Sequence, residues 1–416
     1  MPLMNDVTSR ELLIHALTGA ADFEHAVMCQ YLFAAFSIKS DPSEGGLSWP
    51  QAETLREWKA SLLLVARQEM EHLGLVCNLL TAIGGMPAFR PPAFPSQAIL
   101  CPEIDAFDLR PLSVETLVRF MHIEKMHSDT ANSDQRTIAS LYADIKEGFK
   151  RLAQENALTF VGASQGQVTN ATMGLRQGLY DVRMTAVVDL ASANRAIDQI
   201  VEAGDGPVDP EELTHYRRFE CVRDEFGILS SQDPLFRPTR EVAINPSTFS
   251  GQGKSEILHP VTRLAAKLFN MAFSTQLLLL TRFFTPTDET PAERDGLRKL
   301  AFFPMMTMIL RPLGEMLTLM PLGETEAHPT AGPCFEPYLD LVLPPNKEMA
   351  WILLHERLKN MARTCSLLCT ALENHPTLPV KRFLFLHQNI ERMAINFEHF
   401  ANLRESNLTY LLKHLI

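Results

Sequence analysis

Glu69 and His72 lie three residues apart within the stretch Trp58 to Gly84, and the positions around them decide what that spacing means. Trp58, Leu62, Val65, Glu69, His72, Val76, Leu79 and Ile83 follow one another at alternating steps of four and three, which is one face of a helix. The acid and the imidazole therefore interrupt an apolar stripe, where an ionised carboxylate is costly unless paired or bound to a cation. Glu71 points off that face and reads as solvent surface. An inward Glu with an inward His one turn later is the half-site with which helical bundles hold a pair of divalent metals. Because a lone inward His is more often a hydrogen-bonded core residue, other helices must supply matching ligands.

Two further helices carry acids in the same phase, and a third carries one on a polar face that could equally be a solvated side with local ion pairs. Thr8 and Glu11 have capping-box spacing at the head of a helix that should run to about Ile38. On it Leu13, Leu17, Ala20, Val27, Tyr31 and Ala34 share a face that also contains Glu24. Ser113 opens another helix, in which Leu117, Phe120 and Glu124 step by three and four. His127 follows Glu124 at the ExxH spacing, either as a ligand or at a frayed end before a polar run. A helix expected from about Val182 to Ala203 carries Glu202 on a polar face with Asp198 and Arg195. After a helix start at Pro210, His215 shares a face with Phe219, Val222 and Phe226. Glu24, Glu69, His72, Glu124, Glu202 and His215 thus make four carboxylates and two imidazoles on five helices, a set suited to two divalent metals with one His each.

The connecting segments are consistent with an all-α bundle. A turn-rich loop, SDPSEGGLSWP, precedes the Glu69 helix, which should begin near Gln51 and stop at Gly84, Gly85 and Pro87. Met86 to Pro111 is proline-rich without helical period and reads as an extended crossover. The helix from Arg136 to about Glu155 is amphipathic and mostly surface-charged, and Gly162 to Gly178 reads as a loop or lid.

With 416 residues, the chain has room for two domains. Residues 1–230 form the metal-binding bundle, 231–255 an irregular connection, and 256–416 a second all-helical domain. Its helices are expected over Pro260 to Phe284, Pro291 to Met320 with kinks at Pro304 and Pro312, Lys347 to Asn374, and Pro379 to Leu415. The pairs His387 with Glu391, His355 with Glu356 and Glu398 with His399 share no phase and read as helix surface, while His328 sits in a plain connection.

Net charge is −11, from 49 acidic against 38 basic residues, and no basic run is interleaved with aromatics. That argues against nucleic acid and anionic membranes as partners. The apolar run around Gln276 to Leu280 is bounded by Lys267 and Arg282 and reads as too short to span a bilayer. The amino terminus has no secretory pattern, and seven cysteines without framework spacing suggest a reducing, cytoplasmic setting. Cys29 and Cys77 read as small core residues, and Cys365 with Cys369 lacks the partners of a zinc site.

On these residues the chain resembles a known family, the ferritin-like proteins related to the iminophenyl-pyruvate dimer synthases of violacein- and rebeccamycin-type pigment pathways. The resemblance is carried by ADFEHAVMCQYLFAAFSIK around Glu24, EMEHLGLVCNLLTAIGGMP around Glu69 and His72, and RFMHIEK around Glu124. It continues through VVDLASANRAIDQIVEAGDG, ending near Glu202, ELTHYRRF with His215, RPLGEMLTLMPLGE and TAGPCFE. It implies a ferritin-like bundle and a carboxylate-bridged pair of iron ions, with manganese as the other option. The expected activity is a non-haem oxidoreductase of specialised metabolism, using dioxygen or peroxide to oxidise or oxidatively couple a small, amino-acid-derived metabolite, in a chain that could assemble as a homo-oligomer. The rival reading is a non-catalytic metal-binding or storage protein.

Overall fold

The first helix starts on Ser9, not Thr8: the Ser9 hydroxyl accepts the Leu12 amide at 3.2 Å, and α1 runs Arg10–Ser37. Ser48 and Gln51 form the reciprocal capping box that opens α2, Trp49–Ala82, two residues before the expected start. Gly84 then ends it with a φ of +83°, a left-handed conformation open to glycine. The computed structural model describes residues 7–97, 106–128, 138–161, 166–173, 183–205, 213–324, 329–373, 375 and 380–402; the side chains of 126–128 and 202–205 lie outside that set.

The chain is all-α, with two short strand pairs among the described residues, and divides into two units. Unit 1 comprises Met1–Ala88 and Pro92–Asn245. It continues from α2 through α3, Val114–Ser128, α4, Ile138–Gln154, α5, Leu190–Asp205, and α6, His215–Gln232. α1 packs along α2, α3 packs on α6, α5 and α4, and α4 also lies against α1. The proline-rich crossover is irregular apart from a two-residue antiparallel pairing of Ser96–Gln97 with Ala106–Phe107. Arg240 closes the unit by holding the Glu44 carboxylate and the Phe36 and Ile38 carbonyls at 2.7 to 3.0 Å.

Three local readings of the sequence are corrected. The stretch 183–189 is not the first part of a helix; α5 begins at Leu190, where the Asp189 carboxylate accepts the Ser192 amide at 2.7 Å. Residues 183–187 instead form an irregular strap over one face of α2. Asn78 donates to the Val168 and Thr185 carbonyls at 2.6 and 2.9 Å and accepts the Val168 amide at 2.9 Å. Gln167 adds a two-bond pairing with Val187. Under this strap Glu71 is buried, not solvated, accepting the Arg183 amide at 3.3 Å, with Arg67 at 3.5 Å. Finally, α4 is not mostly surface: Ile138, Tyr142, Ile145, Phe149 and Leu152 form a buried stripe.

Unit 2 comprises Phe89–Pro91 and Pro246–Ile416. His259 caps α7, Pro260–Phe284, which packs on α10, Lys347–Leu372, while α10 pairs with α11, Val380–Phe400. Between them α8, Pro291–Leu297, and α9, Arg311–Leu317, are joined by two π-helical stretches, Arg298–Phe302 and Met305–Leu310. Pro304 and Pro312 are accommodated by that widening, since a proline supplies no amide and crowds the carbonyl four residues back. By length and composition α7 could cross a membrane, so the reading of its apolar run as too short does not hold for the whole helix. Of its most apolar window, 72% is buried inside the protein, which accounts for the apolarity. Arg282 and Glu289 form a buried ion pair at 2.5 Å, shared with the Trp351 indole at 3.1 Å.

Candidate metal centre

Five of the six residues singled out by phase meet inside unit 1. Glu24 comes from α1, Glu69 and His72 from α2, Glu124 from α3, and His215 is the first residue of α6, set by the Thr214 cap. All five are between 0 and 5% exposed. They form two triads, Glu24, Glu69, His72 and Glu69, Glu124, His215, in each of which one ligand atom per residue lies within 4.8 Å of the others. Glu69 belongs to both. Its Oε2 lies 3.0 Å from His72 Nδ1 and its Oε1 3.0 Å from His215 Nδ1, so each oxygen faces a different triad. Glu24 Oε2 is 3.9 Å from His72 Nδ1, and Glu124 Oε2 is 3.3 Å from His215 Nδ1. The two imidazole ring centres lie 5.7 Å apart, with the ring planes inclined at 28°. The side chain of Glu202 lies outside the described residues, as does that of His127.

Three polar side chains with no ligand spacing complete the arrangement. The Tyr142 hydroxyl donates to Glu24 Oε1, and the Tyr31 hydroxyl donates to Glu124 Oε1. Gln68 Oε1 lies 3.1 Å from His215 Nε2 and can accept its proton, which leaves Nδ1 as the donor atom facing Glu69 and Glu124. Tyr31 is visible in the sequence, two turns after Glu24 on the same face, though only as an apolar position. Nothing in the spacing announces Tyr142, because its helix reaches the site only through tertiary packing of α4 on α1.

The electrostatics are those of acids crowded in a dry interior. Burial, and then the neighbouring charge of Glu69, pushes the Glu24 carboxyl well above its ordinary range. Burial opposes the charge of Glu69 too, but the His72 and His215 imidazoles outweigh it and hold that carboxyl well below its ordinary range. At His215, Glu124 and Glu69 overcome burial and raise the imidazole from 6.5 to about 10. The Tyr142 phenol is pushed up by burial and by Glu24, which keeps it a proton donor. Cys29 and Cys77 are buried thiols raised by desolvation, unsuited to act as thiolate ligands.

The donor set fits divalent metal. Glu24 Oε2 is buried with no hydrogen-bond partner among the described residues, a position that a cation would satisfy. Carboxylates and imidazoles on facing helices suit iron, manganese or zinc better than softer ions. Each triad would hold one ion, with Glu69 spanning the two.

Comparison with known proteins bears on this half of the chain and, for two relatives, on most of the rest. Residues 17–224 match the Ferritin-like family, a span that contains every proposed ligand. The dichlorochromopyrrolate synthase of Lentzea aerocolonigenes is 30% identical over 411 residues, covering 87% of this chain and 40% of that protein. The 2-imino-3-(indol-3-yl)propanoate dimerase of Chromobacterium violaceum is 25% identical over 346 residues, covering 79% of this chain and 34% of that protein. The chain therefore spans less than half the length of both curated relatives. A solved ferritin-like protein from Caulobacter vibrioides superposes with a TM-score of 0.47 at 20% identity, covering 76% of this chain and 97% of that one.

Proposed function

Because the chain belongs to the ferritin-like family, we propose that its buried centre holds two divalent metals, iron or manganese, in an oxidoreductase that consumes dioxygen or peroxide. Its substrate is a small, amino-acid-derived metabolite that is oxidised or oxidatively coupled. The observation that carries this reading is the sharing of buried Glu69 between two Glu/His triads, which supports two neighbouring metal positions. The substrate class is supported by the names of the relatives: one is a synthase, the other a dimerase of an imino acid bearing an indole.

Bound there, the metal pair would supply the electrons with which the oxidant is reduced. The chain's own residues do the rest. Glu24, Glu69 and Glu124 offset the cationic charge, and the Tyr142 and Tyr31 hydroxyls hold the outer two carboxylates in place. Gln68 orients His215, and Phe120, Phe219 and Tyr31, packed with ring centres 4.6 to 5.3 Å apart, exclude water from the side of Glu124.

The test is metal analysis of the purified chain followed by anaerobic reduction and exposure to oxygen. Two iron or manganese ions per chain are expected, with oxygen consumed on re-exposure. Glu69→Ala removes both ions, since the residue serves both triads. A wild-type chain that takes up neither metal would overturn the proposal.

A further inference from the structure

The cap of α7 is a histidine. His259 Nδ1 accepts the Thr262 amide at 3.3 Å, and the Thr262 hydroxyl lies 3.2 Å from the same nitrogen. An amide can only donate, so Nδ1 carries no proton and the ring is the neutral tautomer with its hydrogen on Nε2. The main chain is fixed too: the His259 amide donates to the Leu322 carbonyl at 3.2 Å, and the His259 carbonyl accepts the Arg263 amide at 2.9 Å. The residue is 3% exposed. Serine, threonine, asparagine and aspartate ordinarily fill this position, and none of them changes its protonation near neutrality as an imidazole does.

A proton on Nδ1 and a cap on Nδ1 exclude each other. The surroundings add to the conflict, because α7 is 25 residues long and presents the positive end of its dipole to the ring. The His375 ring stands edge-on to His259 with its centre 5.3 Å away, so a proton on His375 adds repulsion. The other charged groups on the segments that meet His259 are Glu373 near the end of α10, Glu324 just beyond Leu322, and Glu256 with Arg263, which pair with each other. Acids nearby soften the repulsion but cannot restore the cap: an imidazolium has no lone pair to offer the Thr262 amide.

We infer that His259 is an acid-released latch on the first turn of α7. Above about 6.5, the ordinary imidazole value, the ring is neutral and the turn is capped. Below it the uncapped form takes up the proton, and the constant for local opening rises about tenfold per pH unit. The latch is therefore closed at neutral and alkaline pH and opens in acid. Opening frees the Thr262 amide, and with it the place where α7 meets Leu322 and His375.

The inference makes no use of the metal centre. It is tested on the full chain by hydrogen exchange and mass spectrometry of fragments covering Thr262 to Leu264 at about pH 7.5 and about pH 5.5, corrected for intrinsic exchange rates. Protection there should fall roughly tenfold at the lower pH, while Leu277 to Phe283 in the later turns of α7 keeps its protection. His259→Asn retains an acceptor at the cap without a titrating group and should hold its protection at both pH values. His375→Gln should keep most of the wild-type loss. The proposal is overturned if wild-type protection is equal at the two pH values, if the later turns lose as much, if His259→Asn loses as much as the wild-type chain, or if His375→Gln abolishes the loss.

Discussion

Two phenols explain how carboxylates as deeply buried as Glu24 and Glu124 are held by one oxygen each, so that Oε2 of each turns toward an imidazole. Replacing a partner of this kind costs ligand orientation more than it costs folding. Tyr142→Phe should weaken the ion held by Glu24 and His72 roughly ten- to hundredfold, and Tyr31→Phe should do the same to the ion held by Glu124 and His215. Chelator competition measures both, and equal loss of the two ions in either variant would contradict the assignment. The site should also bind metal more tightly as pH rises. His215, raised to about 10, is protonated in the metal-free chain at neutral pH, and Glu24 is raised as well. Each proton displaced makes affinity rise about tenfold per pH unit below the pKa of its group. Titrations at several pH values, in buffers of different ionisation enthalpy, check both the slope and the proton release. In the metal-free chain the sign for stability is the reverse. The His215 contribution is complete below about 6.5 and disappears as pH rises towards 10, and Glu24 begins to destabilise above its ordinary 4.5, where the carboxyl of the unfolded chain ionises while the buried one keeps its proton.

The segments 166–173 and 183–189, laid over α2, show how a helix can be right in phase and wrong in surface. Alternate three- and four-residue steps place Glu69 and His72 inward, but Glu71 is buried by a segment more than a hundred residues away, through the Arg183 amide. Asn78 is the latch. Asn78→Ala would leave the Val168 amide and two carbonyls without partners, at a cost of about 3 kcal/mol in urea unfolding. An unchanged midpoint would mean that the strap is not held there. At Pro304 and Pro312 the expectation of kinks is met by a different device, two π-helical stretches, as the sequence names the residue that disrupts a helix but not how the backbone absorbs it.

The two units carry separate stabilising chemistry: the acid cluster in one, the Arg282–Glu289 pair in the other. In scanning calorimetry, metal at a hundredfold excess over Kd should stabilise the transition of unit 1 by about 2.7 kcal/mol. Glu289→Gln leaves the Arg282 charge buried without its ionic partner and should cost about 3–5 kcal/mol in the transition of unit 2. A metal-induced shift of the unit 2 transition alone would contradict the placement of the ligands.

Helical phase by itself determined that the chain is all-α and which sides of α1, α2, α3 and α6 turn inward, and with them Glu24, Glu69, His72, Glu124 and His215. Only the tertiary structure decided that Glu69 is the shared residue and that Tyr142 rather than another polar group reaches Glu24. The reason is physical. Periodicity records the side on which a helix meets apolar surroundings, whereas the partners that meet it there are set by contacts between segments far apart in the chain, and no local pattern encodes them.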